Sequence, residues 1–213
     1  MNELKFALAV FVKTPGLSPI KTRLAKDIGE ERALNIYKKC LAIAEEKISH
    51  LAAHSSVTLV PIWAVAESNG VDDIHWERWR KIRQGDGDLG ERLFKVYSEL
   101  LNEFDGVLLM GADSPLFPES ELLDGVSWLK HSEHGALIGP TIDGGYYVFG
   151  FRKPISKSTW TSVPYSSSNT LEAFLKLLPQ DSPKKLLSEH WDIDTVSDLS
   201  RLLHEAPDFL EGI

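Results

Sequence analysis

Residues 4–12, LKFALAVFV, form an almost unbroken apolar run. A strand with one wet face alternates apolar and polar side chains, whereas a strand covered on both faces need not. The run therefore predicts a central strand sandwiched between helices, and the rest of the chain follows suit. Apolar positions 33, 34, 37, 40, 41, 44, 48 and 51 repeat at helical spacing over residues 30–53. Further strands are expected at residues 57–65, 106–111, 136–138, 146–149 and 185–187, with Pro61 placing the first of these near an edge or at a bend. Helices are expected at 89–104, 118–129, 170–178 and 196–204, with Asn169 and Glu172 spaced as a capping box for the third. Helices alternating with apolar strands predict an α/β fold, a mostly parallel sheet with helices on both faces. With 43% hydrophobic residues and no Gly/Ser linker or repeat, residues 1–213 read as one domain with a full core.

Charge and cysteine content narrow the partners. A formal charge of -8 disfavours a nucleic-acid surface, which is normally basic. The lone Cys40 permits no intramolecular disulfide, and its place in the helical apolar stripe predicts a packed thiol rather than a nucleophile. The first apolar run is far short of the roughly 20 residues that cross a bilayer, and no Ala-x-Ala cleavage site follows it. The expectation is a cytoplasmic protein without a membrane span.

In such sheets ligands bind at the carboxyl ends of the strands, so the loops there are the ones to read. The first carries Lys13, Pro15, Gly16, Pro19 and then Lys21-Thr22-Arg23. Lysine offers a phosphate a point charge and arginine a bidentate fork. Gly16-x-x-x-x-Lys21-Thr22 half-resembles a P-loop, but Ile20 stands where the glycine before the lysine belongs. The bland alternative is a solvated first helical turn, although cations there oppose the helix dipole unless an anion is bound. The second loop, Gln84-Gly85-Asp86-Gly87-Asp88-Leu89, allows close backbone approach to a ligand, or is simply a turn with Asp88 capping the next helix. The third, Gly111-Ala112-Asp113-Ser114-Pro115, sets a carboxylate at the end of a buried strand, suited to Mg²⁺ or Mn²⁺ bridging phosphates, or to a plain cap or turn. The fourth, Asp143-Gly144-Gly145, is either ligand-facing or a hairpin turn. Last, Asp192 and Asp194 alternate on an extended segment and so share a face; they are candidates to complete a cation site, while Thr195 is placed to cap the final helix.

Other chemistries lack their signatures. His50 and His54 share a helix face, but Leu51 occupies the glutamate position of a zinc-protease motif. No Gly-x-Ser-x-Gly elbow is present, Asp86 and Asp88 lack the other EF-hand ligands, and Ser166-Ser167-Ser168 read as loop.

Five marks recur in a fixed order: Phe11-Val12-Lys13-x-Pro15 with Lys21-Thr22-Arg23-Leu24; Gly87-x-Leu89-Gly90-x-Arg92; Gly111-x-Asp113-Ser114-Pro115; Gly139-Pro140-x-x-Asp143-Gly144-Gly145-Tyr146-Tyr147; and Asp192-Ile193-Asp194-Thr195 with Asp198-Leu199. Over roughly residues 5–203 this pattern resembles the bacterial DUF2064 family, described as glycosyltransferases of arsenosugar-biosynthesis type. It is similar more distantly to phospholactate guanylyltransferases and molybdenum-cofactor nucleotidyltransferases. The resemblance implies a three-layer α/β/α, GT-A-like nucleotide-diphospho-sugar transferase fold with a mixed, mostly parallel sheet. It implies that Lys13, Lys21, Thr22 and Arg23 face nucleotide phosphates and that Gln84, Gly85, Gly87 and Leu89 contact base and ribose. Asp113 would be the metal carboxylate, Asp192 or Asp194 its second ligand, and Asp143 with Gly144 and Gly145 would face sugar or acceptor. The chain departs from the family in carrying Gly16 rather than a glycine at Ser18, Tyr165 where many members have Trp, and one acid rather than Asp-x-Asp at residue 113.

The implied activity is metal-dependent transfer from a nucleoside-diphosphate sugar to a small acceptor, with Asp113, Asp143, Lys21 and Arg23 as the candidate catalytic groups. Asp143 would serve as base or hydroxyl positioner. Two alternatives remain open at this point. One is a nucleotidyltransferase moving a nucleoside monophosphate onto a phosphorylated acceptor, with Lys13 and Arg23 stabilising the charge. The other is a non-catalytic nucleotide-binding module.

Overall fold

A computed structural model describes residues 3–211. Seven strands form one sheet: β1 (Lys5–Val12), β2 (Thr58–Val65), β3 (Arg80–Arg83), β4 (Gly106–Gly111), β5 (Ala136–Pro140), β6 (Tyr146–Phe151) and β7 (Lys184–Leu186), in the order β3-β2-β1-β4-β6-β5-β7. β1 pairs in parallel with β2 and β4, and its alternation serves two helix layers. Phe6, Leu8, Val10 and Val12 enter the core shared with helices α2 (Glu30–His54) and α4 (Glu119–His131). The smaller Ala7 and Ala9 enter the opposite core, with α3 (Leu89–Leu101), α5 (Lys157–Thr161) and α6 (Thr170–Leu177). The two-sided burial expected of the first apolar run is thus met by bulky side chains on one face and small ones on the other. A third, smaller core joins α1 (Thr22–Ile28) and α2 to α7 (Val196–Glu205) through Leu24, Ile36, Leu199 and Leu202. The domain is α/β with three layers, as the sequence predicts, and among the described residues no helix is long and apolar enough to cross a membrane.

Strand direction decides where the loops meet. β6 is antiparallel to β4 and β5 is antiparallel to β6, so β5 runs with β4, and β7 is parallel to β5. The carboxyl ends of β1 to β5 and β7, and the amino end of β6, therefore share one edge. Every candidate loop lies along it.

Two local expectations are corrected, and one short strand is added. Pro61 lies inside the β1–β2 ladder opposite Leu8, and β2 is not an edge strand. Pairing with β3 begins only at Ile62, so a stretch of β2 that includes Pro61 has a free side, where a missing N–H costs no ladder bond. Asn169 precedes α6 but makes no side-chain cap bond; the capping box belongs to Thr195 and Asp198 at α7. β3, the four-residue segment Arg-Lys-Ile-Arg, is a strand that its charge concealed, held by the hydrogen bonds of β2 with only Ile82 in the core.

Candidate active site

The strand order 3-2-1-4 reverses chain progression between β1 and β4. The loops after β1 and β4 leave adjacent strand ends there, at the carboxyl edge where ligands settle in open α/β sheets. Lys13 follows β1 and Asp113 follows β4.

The loop after β1 is tied down rather than loose. The Tyr37 hydroxyl donates to the Lys13 carbonyl and accepts from the Lys13 amide, at 3.0 and 2.9 Å. The Thr14 amide donates to Glu67 and the Trp76 indole to the Thr14 hydroxyl. The loop ends at Lys21, which caps α1 in the left-handed region, φ 46° and ψ 48°. A non-glycine residue is found there only where its surroundings over-determine it. The constraint is Lys21 itself: its side chain is 2% exposed, and Nζ lies 3.1 Å from Asp113 Oδ2 without the alignment of a hydrogen bond. Burial works against the ammonium charge, but Asp113, seconded by Asp192, more than offsets it and holds the lysine above its ordinary pKa. Lys21 is thus neither solvated nor presented outward; it is the counter-ion of Asp113. Lys13 and Arg23 are the exposed cations of the loop, Lys13 donating to the Pro19 carbonyl and Arg23 pairing with Asp194 at 2.9 Å. Thr22 is exposed on the first turn of α1.

The segment after β7 crosses back over the sheet edge. His190 continues the β5 pairing through Thr141, and the Ile193 amide donates to the Asp113 carbonyl at 3.1 Å. That bond sets Asp192 beside Asp113. Asp192 is held above its ordinary pKa, first by burial and then by the Asp113 and Asp143 carboxylates, with its own amide and Lys21 acting against them. Asp113, Asp143 and Asp192 line a single cavity of about 270 Å³, and Asp194 does not; it turns to Arg23 instead. The two acids expected to share a face therefore divide between a cavity and an ion pair, and the segment that carries them is not a strand.

Asp143 sits in the β5–β6 turn, where its Oδ1 accepts from the Thr141 hydroxyl at 2.5 Å and the Gly145 amide at 3.1 Å. The hairpin reading holds for this turn, and because both bonds go to Oδ1 the residue also lines the cavity without giving up its turn contacts. Gly144 has φ 88°, and a Cβ there would overlap the Ser168 carbonyl, so the turn and the segment before α6 meet with no room for a side chain. The Leu171 amide donates to the Gly144 carbonyl and closes the contact.

In the second loop Gly85 and Gly87 take positive φ, and Asp88 caps α3 by accepting from the Glu91 amide. Gln84 is buried, its amide donating to the Val12 and Ala64 carbonyls, so it pins the ends of β1 and β2 together. Leu89 remains exposed and reaches the cavity wall.

Sequence reasoning missed the far wall. Tyr165, Ser166, Ser167 and Thr170 line the cavity with Tyr146 of β6, and Ser166 adopts φ 59°. The hydroxyls of Tyr146 and Tyr165 are buried against each other. Burial lifts Tyr165 to about 12. The available signal was the Tyr165 position in the family pattern, not the serines themselves. Cys40 is packed as expected, its thiol pushed up to about 12 by burial.

Among the described residues no three His, Cys, Asp or Glu side chains converge closely enough to enclose a metal ion. Mg²⁺ and Mn²⁺ do not require that: one or two carboxylates complete their shell with substrate phosphates and water. Asp113 and Asp192, mutually repelling at one cavity, fit that donor set.

The model for the family described as "uncharacterized protein conserved in bacteria (DUF2064)" matches residues 48–167. No curated protein matches the chain. Among solved structures, a candidate nucleotide-diphospho-sugar transferase from Desulfovibrio desulfuricans G20 superposes with TM-score 0.77 at 23% identity, covering 97% of this chain and 89% of that one. The CMP:2-keto-3-deoxy-manno-octonic acid synthetase complexed with CTP gives 0.59 at 11% identity, over 97% and 100%. A Mycobacterium tuberculosis H37Rv protein in complex with manganese gives 0.55 at 13%, over 96% and 100%. The fold is that of the nucleotide-diphospho-sugar transferases and nucleotidyltransferases.

Proposed function

The chain belongs to the DUF2064 family, and on that premise we propose that it is a metal-dependent glycosyltransferase drawing on a nucleoside-diphosphate sugar. The observation that carries the reading is the meeting of Asp113, Asp143 and Asp192, from three separate segments, at one cavity on the sheet edge from which the loop bearing the exposed cations Lys13 and Arg23 also leaves. Acids and cations so divided suit a ligand that is anionic at one end and hydroxyl-bearing at the other.

Lys13 and Arg23 would attract the diphosphate, with Arg23 exchanging Asp194 for phosphate oxygens. Gly85 and Gly87 would let the loop after β3 lie against base and ribose, with Gln84 fixing its origin and Leu89 at its far end. Asp113 and Asp192 would hold Mg²⁺ or Mn²⁺, which when bound neutralises charge on the departing diphosphate. Lys21 would hold Asp113 in place as its counter-ion. Gly144 and Gly145 shape the turn that presents Asp143 Oδ2 to an acceptor hydroxyl. In the displacement the acceptor oxygen bonds to the anomeric carbon, the bond from that carbon to the diphosphate oxygen breaks with its electron pair, and the hydroxyl proton passes to Asp143 and then to water.

The nucleotidyl-transfer alternative is favoured by one finding, the similarity of fold to a synthetase complexed with CTP. The released product separates the two: a nucleoside diphosphate for glycosyl transfer, pyrophosphate for nucleotidyl transfer. The first experiment is a thermal-shift screen of nucleoside di- and triphosphates and nucleotide-sugars with and without Mn²⁺. A ligand at 100 Kd adds about 2.7 kcal/mol. Absence of any nucleotide shift, or a metal dependence untouched by Asp113→Asn, sinks the reading.

A further inference from the structure

Lys47 stands outside every mark read from the sequence, yet it reaches the loop on which both candidate metal carboxylates depend. It lies on α2, three residues past Ala44 and four before Leu51, both of them buried. Residues so spaced share a helix face, so the backbone turns the lysine toward the core rather than to water. Its head runs to the segment between β4 and α4, residues 112–118. There Nζ donates to the Pro115 carbonyl at 3.1 Å and to the Phe117 carbonyl at 2.8 Å. The ammonium also sits over the buried Phe117 ring, 4.5 Å from its centroid. Carbonyl oxygens and an aromatic face thus replace the water it has lost. Desolvation still holds Lys47 below its ordinary pKa, with Glu119 acting in the opposite direction.

The segment has little else to brace it. Pro115 and Pro118 have no N–H to give, and inside it the Phe117 amide donates to the Ser114 carbonyl at 3.2 Å. Asp113 is held by its carboxylate at Lys21 and by its carbonyl at the Ile193 amide. Two and four residues on, the main chain is held by Lys47. Asp192 hangs on the same loop, because the bond from Ile193 to Asp113 sets it there.

We infer that Lys47 is a positioning residue for the divalent cation: by holding the main chain of residues 115–117 it sets where the Asp113 and Asp192 carboxylates stand relative to each other. Its effect passes through the loop backbone. Groups that orient metal ligands from outside the coordination shell are worth about 10–100-fold in affinity. The inference rests on the reading of Asp113 and Asp192 as the carboxylates of the cation.

The test compares Lys47→Met, which keeps the stem and removes the donors, with Lys47→Arg, which restores charge and donors. Mn²⁺ alone is titrated into each protein, and the free ion is followed by electron paramagnetic resonance. Lys47→Met should bind Mn²⁺ about tenfold more weakly than the parent, and Lys47→Arg should recover most of the difference. Binding of UDP or GDP measured without metal should be unchanged. In the metal-free protein the Ile193 amide should exchange faster in Lys47→Met and slow again in Lys47→Arg. Ile48→Val removes a buried methyl at the next position and serves as the merely destabilised comparison; its Mn²⁺ affinity should match the parent's. Where Lys47→Met does not fold, Lys47→Gln, one bond shorter and uncharged, carries the same expectation. Parental Mn²⁺ affinity in Lys47→Met or Lys47→Gln, an equal loss in Ile48→Val, or a loss that Lys47→Arg fails to reduce overturns the inference and leaves the metal reading standing. A parent that binds no Mn²⁺ and shows no metal-dependent nucleotide shift instead overturns the transferase reading, and the role given to Lys47 with it.

Discussion

Removing the two partners of the Lys21–Asp113 pair should have unequal consequences. The lysine side chain is 2% exposed and the aspartate 44% exposed, at 3.1 Å. Asp113→Ala leaves an ammonium buried without its principal counter-ion, a defect that costs about 3–5 kcal/mol. Lys21→Met leaves a carboxylate that water can reach and replaces the lysine stem with an apolar chain of similar length, so the loss is about 1 kcal/mol. For a domain of this size each kcal/mol moves Tm by about 2–4 °C. Asp113→Ala should therefore melt about 6–20 °C below the parent at pH 7, and Lys21→Met about 2–4 °C below. The double variant should regain stability relative to Asp113→Ala, because the unpaired charge has gone. Lys21 has its pKa raised in the fold, so the pair's contribution is whole below the unfolded lysine value of about 10.4 and fades as pH climbs through the folded one. The gap between Asp113→Ala and parent should accordingly narrow in alkaline urea melts. If Asp113→Ala proves no worse than Lys21→Met, or the double variant is worse than both, the pairing does not hold Lys21 as described.

Burial, followed by the charge of Lys47, lowers His190 to about 4. Its neutral form is favoured in the fold, so stability is complete above the unfolded value of about 6.5 and declines as pH falls toward 4, by at most about 3 kcal/mol; His190→Gln should flatten that limb in pH-dependent urea melts. Gly144→Ala should cost more than 2 kcal/mol, roughly the sum of positive-φ strain and the overlap with Ser168, and should raise amide exchange at Leu171 in hydrogen-exchange measurements. Thr195→Ala removes one arm of the α7 capping box and should lower stability by about 1 kcal/mol in urea melts. Asp113→Asn should weaken Mn²⁺-dependent nucleotide stabilisation more than tenfold in thermal-shift titrations, a difference of about 1.4 kcal/mol; retention of full metal dependence would argue against Asp113 as ligand.

Residues 4–12 by themselves determined a buried central strand, and the periodicity of the helices around it determined the α/β class, because burial on two faces and the 3.6-residue repeat are written in local pattern. The order of loop marks likewise carried the family. β3 escaped, since a charged four-residue strand is held by its neighbour's hydrogen bonds rather than its own apolar faces. The tyrosine–serine wall escaped as well, because Tyr146 and Ser167 are ordinary strand and loop residues until Gly144 draws the two segments together. Asp192 and Asp194 are indistinguishable in sequence; only the backbone bond from Ile193 to Asp113 turns one to the cavity and leaves the other to Arg23. The same holds for Lys21. Its charge and loop position are local facts, but its role as a buried counter-ion depends on β1 and β4 lying side by side, a pairing between residues about a hundred positions apart. Chain-local pattern set the layers and the edge on which the loops gather; long-range strand pairing decided which charges meet there.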